Sequence, residues 1–332
     1  MVDDPHGFCL CIAWFLDCYD QRISTIAVYI RAVLDSWAMQ LSLLVAVVGL
    51  LPKKLCSYLL GLLVNLRVPR FLARMSVRWF ARHYSIDLSA ANQALSEYDC
   101  IGSFFVRNLK SEVRPIGIEP TSPVDGILRS YGMVRAGMLS HVKGATYSID
   151  AFLRETGLAS KYHAGFYLNF YLSPRDCHHV FSPVDGAVVA VHHIPGTLWP
   201  VNDWASKNVS QLYCVNERVV IDLNTSQGPL LLVMVGALNV GQIQVSFDCG
   251  VVTNGTLLDA IGLGRKISSV RYADPHVVRS GERVGTFFMG SSVVVLFSQR
   301  PEFATENDEF VEKQVQYGQS LVELIDPICA AR

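Results

Sequence analysis

One pentapeptide occurs twice in this chain, as Ser122-Pro123-Val124-Asp125-Gly126 and, sixty residues later, as Ser182-Pro183-Val184-Asp185-Gly186. In each copy proline fixes one backbone dihedral and Asp-Gly makes a tight turn. The chain is thus delivered into the apolar run that follows, Ile127-Leu128 in one case and 187–191 in the other. Two similar turns account for the pattern, and so does a pair of pseudo-symmetric β units. The repeat alone does not say whether either aspartate is chemical. From about residue 100 onward, short apolar runs alternate with Gly, Pro and Asn: 165–172, 186–191, 218–223, 229–235, 242–247, 284–288 and 292–297. Runs of that length and spacing predict an antiparallel sheet system. Helices are expected in the first hundred residues and in a few crossovers such as 149–154. The fold class is α+β: N-terminal membrane-associated helices, then a mostly antiparallel β domain with pseudo-symmetric β units.

The first hundred residues read differently. Residues 41–51, LSLLVAVVGLL, are apolar but too short to cross a bilayer, which takes about 20 residues. Pro52-Lys53-Lys54 ends the run, and a second short apolar stretch, 55–66, follows. Between Pro52 and Tyr84 there are seven basic residues, Lys53, Lys54, Arg67, Arg70, Arg74, Arg78 and Arg82, and no acidic one. The last four recur every fourth residue and share one helix face. Phe71, Met75, Trp79 and Phe80 give the other faces apolar, aromatic character. A basic amphipathic helix of this kind predicts a membrane-surface segment, since anionic lipid attracts it. An ordinary surface helix with solvated arginines is the alternative. The expected organisation is an unassigned extension, 1–40, a membrane-surface helical region, 41–99, and a β-rich catalytic domain, 100–332.

Composition narrows the function classes. Twenty-eight Lys+Arg against 29 Asp+Glu give a formal charge of -1, which argues against nucleic acid as a partner held by bulk electrostatics. Hydrophobic residues are 51% and charged ones 17%, which excludes disorder and demands an unusually apolar core or membrane contact. The nine cysteines form no CxxC pair, so no zinc ribbon or thioredoxin-type site is supported, and no metal site is expected. Reduced thiols in a cytoplasmic protein fit them, and the acidic Met1-Val2-Asp3-Asp4 start is unlike a secretory signal. Gly262-Leu263-Gly264 is an isolated triplet without the context of a phosphate loop. A lipoyl or biotin carrier also pairs β units, but it needs a lysine on an exposed hairpin tip, and no such hairpin is found.

Three segments carry the chemistry: Ser122–Gly126 with Asp125; Ser173-Pro174-Arg175-Asp176-Cys177-His178-His179-Val180-Phe181-Ser182-Pro183; and Met289-Gly290-Ser291-Ser292. With them, in order, stand Phe104-Phe105-Val106-Arg107, Val113-Arg114-Pro115-Ile116, Lys143-Gly144 with Tyr147-Ser148, Pro195-Gly196, Val201-Asn202, Asn216-Glu217-Arg218 and Val235-Gly236-Ala237. From about Leu50 to Ile325 the chain resembles the phosphatidylserine decarboxylases, pyruvoyl-dependent membrane enzymes of bacterial type. The resemblance implies self-cleavage between Gly290 and Ser291, where Met289 and Ser292 replace the family's Leu and Thr. Gly290 leaves its carbonyl open to an attacking oxygen. Ser291 Oγ would attack that carbonyl and turn the amide into an ester. Elimination and hydrolysis would leave a covalent pyruvoyl cofactor derived from Ser291 at the head of a small chain, 291–332, beside a large chain, 1–290. That ketone is the electron sink for decarboxylation of phosphatidylserine to phosphatidylethanolamine.

The resemblance further assigns Asp125 to a serine-protease-like processing triad and His178 to the decarboxylation step; Asp185 is the less favoured aspartate. It implies as partners the phospholipid membrane, phosphatidylserine and the two chains of one precursor, with a homodimer left open. It implies a peripheral location on the cytoplasmic face of the cell inner membrane. One position departs. The family's second histidine, three residues after the first, is Phe181 here, and phenylalanine cannot relay a proton. His179 could act as a substitute base, although neighbours on a strand point to opposite faces. His178 could serve both steps, or processing is slow or lost. His192 and His193 are more remote options. The alternative function is therefore a processing-deficient, lipid-binding homologue at the membrane surface. A serine hydrolase is a third reading, and it lacks a GxSxG elbow.

Overall fold

The computed structural model describes Gly49 and residues 52–140, 146–154, 156–238, 242–261, 267–288, 291–304 and 309–325. The chain divides into two compact units, Met1–Leu51 and Pro52–Arg332, and nearly all described residues belong to the second. Residues 1–40 and, Gly49 aside, the apolar run 41–51 lie outside the described residues. So do Lys143-Gly144, the 262–264 triplet and the Met289-Gly290 pair.

The described α-helices are α1 (Lys53–Val64), α2 (Arg70–His83), α3 (Ile101–Phe105), α4 (Ile149–Leu153), α5 (Asp203–Asn208), α6 (Leu212–Val215), α7 (Leu257–Ala260) and α8 (Leu321–Ile325). Two prolines, Pro52 and Pro69, precede α1 and α2, where a missing N–H costs nothing. Asn65 closes α1 by donating from Nδ2 to the Gly61 carbonyl at 2.8 Å. α2 buries Ala73, Val77, Phe80 and Ala81, the i, i+4, i+7, i+8 stripe of an amphipathic helix. The structure splits the aromatic set on α2. Phe80 packs edge-on against Phe104 and Phe105 of α3, at 6.4 and 6.1 Å, whereas Phe71, Met75 and Trp79 are more than 60% exposed. Arg70, Arg74, Arg78 and Arg82 are exposed as well. Among the described residues no helix is long and apolar enough to cross a membrane.

The strands are β1 (Gly126–Met133), β2 (Met138–Ser140), β3 (Thr146–Ser148), β4 (Phe166–Leu172), β5 (His179–Phe181), β6 (Gly186–Ile194), β7 (Arg218–Thr225), β8 (Gly228–Val235), β9 (Gln242–Val245), β10 (Ser268–Val278), β11 (Arg283–Phe288), β12 (Ser291–Phe297) and β13 (Glu309–Val315). Eight form one sheet in the order β10-β6-β7-β8-β12-β4-β1-β13, three form a second in the order β5-β11-β9, and β2 pairs with β3. The ladders are antiparallel. The four central strands, β7, β8, β12 and β4, are near-continuous apolar runs because both of their faces are covered; Phe170, Ile221, Val233 and Val295 have no accessible surface.

The two pentapeptides lie side by side. Thr121 N–H donates to the Pro183 carbonyl and Phe181 N–H to the Pro123 carbonyl, at 2.8 and 2.9 Å. Ser122 Oγ bonds the Val124 carbonyl at 2.9 Å, as Ser182 Oγ bonds that of Val184 at 2.7 Å. Each copy opens one half of the large sheet. The sequence β13-β1-β4-β12 on one side mirrors β10-β6-β7-β8 on the other.

Candidate active site

Where the second pentapeptide feeds β6, its neighbour β7 turns straight into β8 through a hairpin in which Thr225 pairs with Gly228. Where the first feeds β1, the corresponding strands β4 and β12 are not joined by a hairpin. β12 instead arrives from β11 of the small sheet, across the Met289-Gly290 pair. The cleavage point expected from the sequence thus lies where the chain crosses from one sheet to the other. Ser291 is the first residue of β12, its Cα opposite Leu172 of β4. Ile127 pairs with Tyr171 on the far side of β4, so Gly126 stands beside Leu172. Gly126 has φ +154, and a Cβ there would collide with the Tyr171 carbonyl oxygen, so no other residue lets β1 approach β4 this closely. Asp125 and Ser291 are therefore separated by two inter-strand steps, roughly 10 Å of backbone. Asp185, the other copy, precedes Gly186, which pairs with Thr225 at a closed hairpin whose turn residues are Ser226 and Gln227. Asp185 Oδ1 accepts the Ser280 N–H at 2.8 Å, and its own N–H bonds Glu119.

Asp125 is buried and heavily engaged. Arg114 donates Nε to Oδ1 at 3.0 Å and Nη2 to Oδ2 at 2.7 Å, and the Tyr317 backbone N–H donates to Oδ1 at 2.9 Å. Phe181 is linked to this carboxylate through Tyr317, on whose ring it stacks at 3.9 Å and 15°. An aromatic stack fills position 181, one residue removed from Asp125 by way of Tyr317.

His178 immediately precedes β5 and is wholly buried. Its Nδ1 donates to the Asp176 carbonyl at 2.9 Å, which leaves Nε2 as the lone-pair nitrogen. Nε2 has no hydrogen-bond partner among the described residues. The ring packs on Phe105 at 3.9 Å. Burial, with help from the positive charge of Arg107, pulls the imidazole down to about 3, so it is neutral at physiological pH. The Phe287 N–H donates to the His178 carbonyl at 2.9 Å, which ties this histidine to the strand that leads into the cleavage pair. His179 differs. It shares the strand face of Phe181, edge-on at 6.4 Å, and its Nδ1 is 3.0 Å from Thr286 Oγ1. Burial first, then Arg283, lowers it to about 4. His192 and His193 lie on β6, three strands from β12, bonded to Ser269 and Glu217.

A cavity of about 190 Å³ reaches Phe105, the residue on which the His178 ring packs. Tyr58 and Leu62 of α1, Gly102 and Phe105 of α3, Asn254, and Phe288, the last residue before the cleavage pair, line it. Beyond Ser291, Ser292 is fully buried and accepts a hydrogen bond from Tyr213 Oη at 3.1 Å. Tyr213 in turn stacks on Tyr147 at 5.3 Å. Sequence reasoning missed Tyr213, Tyr317 and Phe105 as parts of the site. They are apolar-looking residues far away in the chain, and only Phe105 carried a signal, its place in the Phe104–Arg107 motif.

The motif Asn216-Glu217-Arg218 proves to be scaffold. Arg218 has no exposed surface and donates to the carbonyls of Phe152, Cys214, Asn216 and Ala151 at 2.7 to 3.0 Å, capping α4 and α6 onto β7. Asn216 ties down Trp199 and Gly236. Glu217, 2% exposed, bonds His193 at 2.7 Å, Asn254 Nδ2 at 2.6 Å and Lys54 Nζ at 3.3 Å. The last contact offsets a lysine pair at the positive end of α1, where Lys53 also sits 4.1 Å from the face of Trp199.

The sequence profile described as Phosphatidylserine decarboxylase matches residues 101–323. The phosphatidylserine decarboxylase proenzyme of Myxococcus xanthus (strain DK1622) is 34% identical over 268 residues, 80% of this chain and 92% of that one. That of Anaeromyxobacter sp. (strain K) is 36% identical over 258 residues, 77% and 89% of the two chains. That of Pseudomonas aeruginosa (strain LESB58) is 34% identical over 268 residues, 78% and 89%. With a match across more than half its length and relatives this similar along nearly their whole lengths, the chain belongs to the phosphatidylserine decarboxylase family.

Proposed function

We propose that this chain cleaves itself between Gly290 and Ser291 and then decarboxylates phosphatidylserine to phosphatidylethanolamine at a membrane surface, on the cytoplasmic face of an inner membrane. The observation that carries the reading is His178. A neutral, buried imidazole with a free Nε2 stands against Phe105, on the wall of a cavity that ends at Phe288. Such a nitrogen fits a pyruvoyl site, because its lone pair can accept a hydrogen bond or a proton from the bound headgroup. The pyruvoyl ketone supplies the electron sink for loss of CO2. The chain supplies the rest. Ser291 is the source of the group and Gly290 the residue that opens to attack. Asp125 places negative charge two strands from the serine. α1 and α3 line the cavity on the side of Phe105, against which His178 packs. The exposed arginines of α2 and the leucines of α1 suit a substrate that stays in an anionic bilayer.

One observation favours the second reading, a processing-deficient lipid-binding homologue. Asp125 spends both oxygens on Arg114, and Phe181 blocks the relay position with its stack on Tyr317. Mass spectrometry of the purified protein under denaturing conditions separates the two. A 290-residue chain plus a 42-residue chain without a free amino terminus, together with CO2 release from phosphatidylserine, is the expected result. A single 36.8 kDa chain that binds anionic vesicles and releases no CO2 would put the second reading in its place.

A further inference from the structure

The cavity that reaches Phe105 has two rims. One is α1, through Tyr58, Gly61 and Leu62; the other is the turn at Asn254-Gly255, which leads directly into α7. α1 and α7 pack against each other. α7 is a single turn held by its own capping box: Thr256 Oγ1 accepts the Asp259 N–H, and the Asp259 carboxylate accepts the Thr256 N–H at 3.2 Å. It buries only Ala260. Leu257, Leu258 and the following Ile261 are 51%, 61% and 49% exposed. On α1, Leu59, Leu62 and Leu63 are 54–66% exposed, and Leu62 lines the cavity. Glu217 fastens both rims from below, through Lys54 on α1 and Asn254 before α7.

Six large aliphatic side chains on two packed elements that border the cavity, α1 and α7 with Ile261, are not explained by the fold, which buries none of them. We propose that Leu257, Leu258 and Ile261 form a second lipid-inserting lip, contributed by the β domain, which with the leucines of α1 seats the cavity mouth in the bilayer and passes a phospholipid headgroup to the site. The inference rests on the reading that the substrate is a membrane phospholipid. Charge selects a bilayer as the occupant. The segment from Pro52 to Tyr84 has seven basic residues and no acid, and Arg70, Arg74, Arg78 and Arg82 are exposed on the helix that follows α1. An anionic lipid surface satisfies the arginines and the leucines together. The capping box explains why so short a turn persists with its apolar tip outward: it is held from its polar end.

The experiment uses the full chain and its L257E/L258E variant. Vesicles of mixed phosphatidylserine and phosphatidylcholine report binding by co-sedimentation and turnover by CO2 release. Monomeric dihexanoyl phosphatidylserine reports turnover without a bilayer. The expected result is at least a tenfold loss of vesicle binding and of vesicle turnover, with turnover of the monomeric lipid within about twofold of the parent. Unchanged vesicle binding overturns the lip, and so does an equal loss on both substrates, which would place the effect in the chemistry. L258W gives a readout that needs neither activity nor a disruptive charge. Its extra fluorescence should shift to the blue on vesicles, and no shift beyond that of the parent overturns the proposal. If the parent itself releases no CO2 from either lipid, the functional reading fails, and the binding and fluorescence arms still decide the lip.

Discussion

Phe181→His restores the residue type whose absence sets this chain apart, and the structure allows its two effects to be weighed. The first is on stability. Phe181 is 9% exposed and stacks on Tyr317 at 3.9 Å, an arrangement worth about 0.5–1.5 kcal/mol beyond area burial. Imidazole keeps an aromatic face for Tyr317, so the loss should stay under about 2 kcal/mol and the chain should fold. The second effect is on maturation. The 181 backbone is bonded to Pro123, two residues before Asp125, and Asp125 lies two strands from Ser291. The family resemblance puts the relay histidine of a processing triad at this position. General-base assistance is worth about 10²–10⁴-fold. The lower end applies, since Asp125 already receives two N–H groups from Arg114 and one from Tyr317. The expected outcome is a roughly hundredfold faster conversion of the 36.8 kDa chain into two, followed by gel and mass spectrometry during cell-free synthesis. Phe181→Leu is the control, because it removes the stack and supplies no base. The reasoning is refuted if Phe181→His matures at the parent's rate, or if Phe181→Leu matures as fast.

The remaining predictions concern charge and burial. Asp125→Asn leaves Arg114, whose side chain is 14% exposed, without a counter-ion. Urea unfolding should show a loss of about 3 kcal/mol and the chain should stay uncut; an unshifted midpoint would mean the pair contributes nothing. His178 and His179 fall from 6.5 in the unfolded chain to about 3 and about 4 on folding. Between those values only the unfolded chain takes up the proton. Stability present above pH 6.5 should therefore fall as pH drops, by about 1.4 kcal/mol per pH unit for each histidine. The parent's urea midpoint should decline from pH 7 to pH 5, and His178→Asn should flatten that slope; equal slopes would be the contrary result. Glu217→Gln keeps the shape but removes the charge that holds Lys54. Hydrogen exchange over α1 should quicken about tenfold or more while the sheet stays protected, and equal protection would deny Glu217 its clamping role.

Much of the sheet was legible in the sequence because burial leaves a simple mark. β4, β7, β8 and β12 are covered on both faces and read as unbroken apolar runs, so their expected limits fall within a few residues of those observed. β10 and β13 went unread for the converse reason. They are the two edges of the large sheet, β10 is mostly exposed, and its ladder with β6 shifts register between Arg271 and His276, around Pro275. The basic face of α2 showed in its four-residue spacing, but nothing local distinguishes Phe80, which anchors that helix, from Phe71 and Trp79, which do not. The site was legible as a set of residues and not as a set of contacts. Arg114 was visible in its motif, yet its fork around Asp125 spans a turn of eleven residues. Tyr317 meets Phe181 from the far end of the chain.

The duplicated pentapeptide bears on why the proposed self-cleavage draws on Asp125 and not on its twin, Asp185. Both copies make the same internal turn, and each pairs with the other through reciprocal backbone bonds. Local sequence is therefore no guide to which one acts. The difference arises one strand further out. On the side of Asp185 the sheet is closed by a hairpin, Thr225 to Gly228, and a hairpin offers no chain end that can be released. On the side of Asp125 the equivalent strand enters from another sheet, and Ser291 is its first residue. Cutting before Ser291 parts two elements that belong to different sheets and leaves both ladders of β12, with β4 and with β8, in place. A small chain beginning at Ser291 thus remains held by a central strand of the fold. The same cut at the hairpin would sever a two-residue turn between strands of one sheet. Topology, rather than the pentapeptide itself, is what favours Asp125 over Asp185 in the proposed self-cleavage.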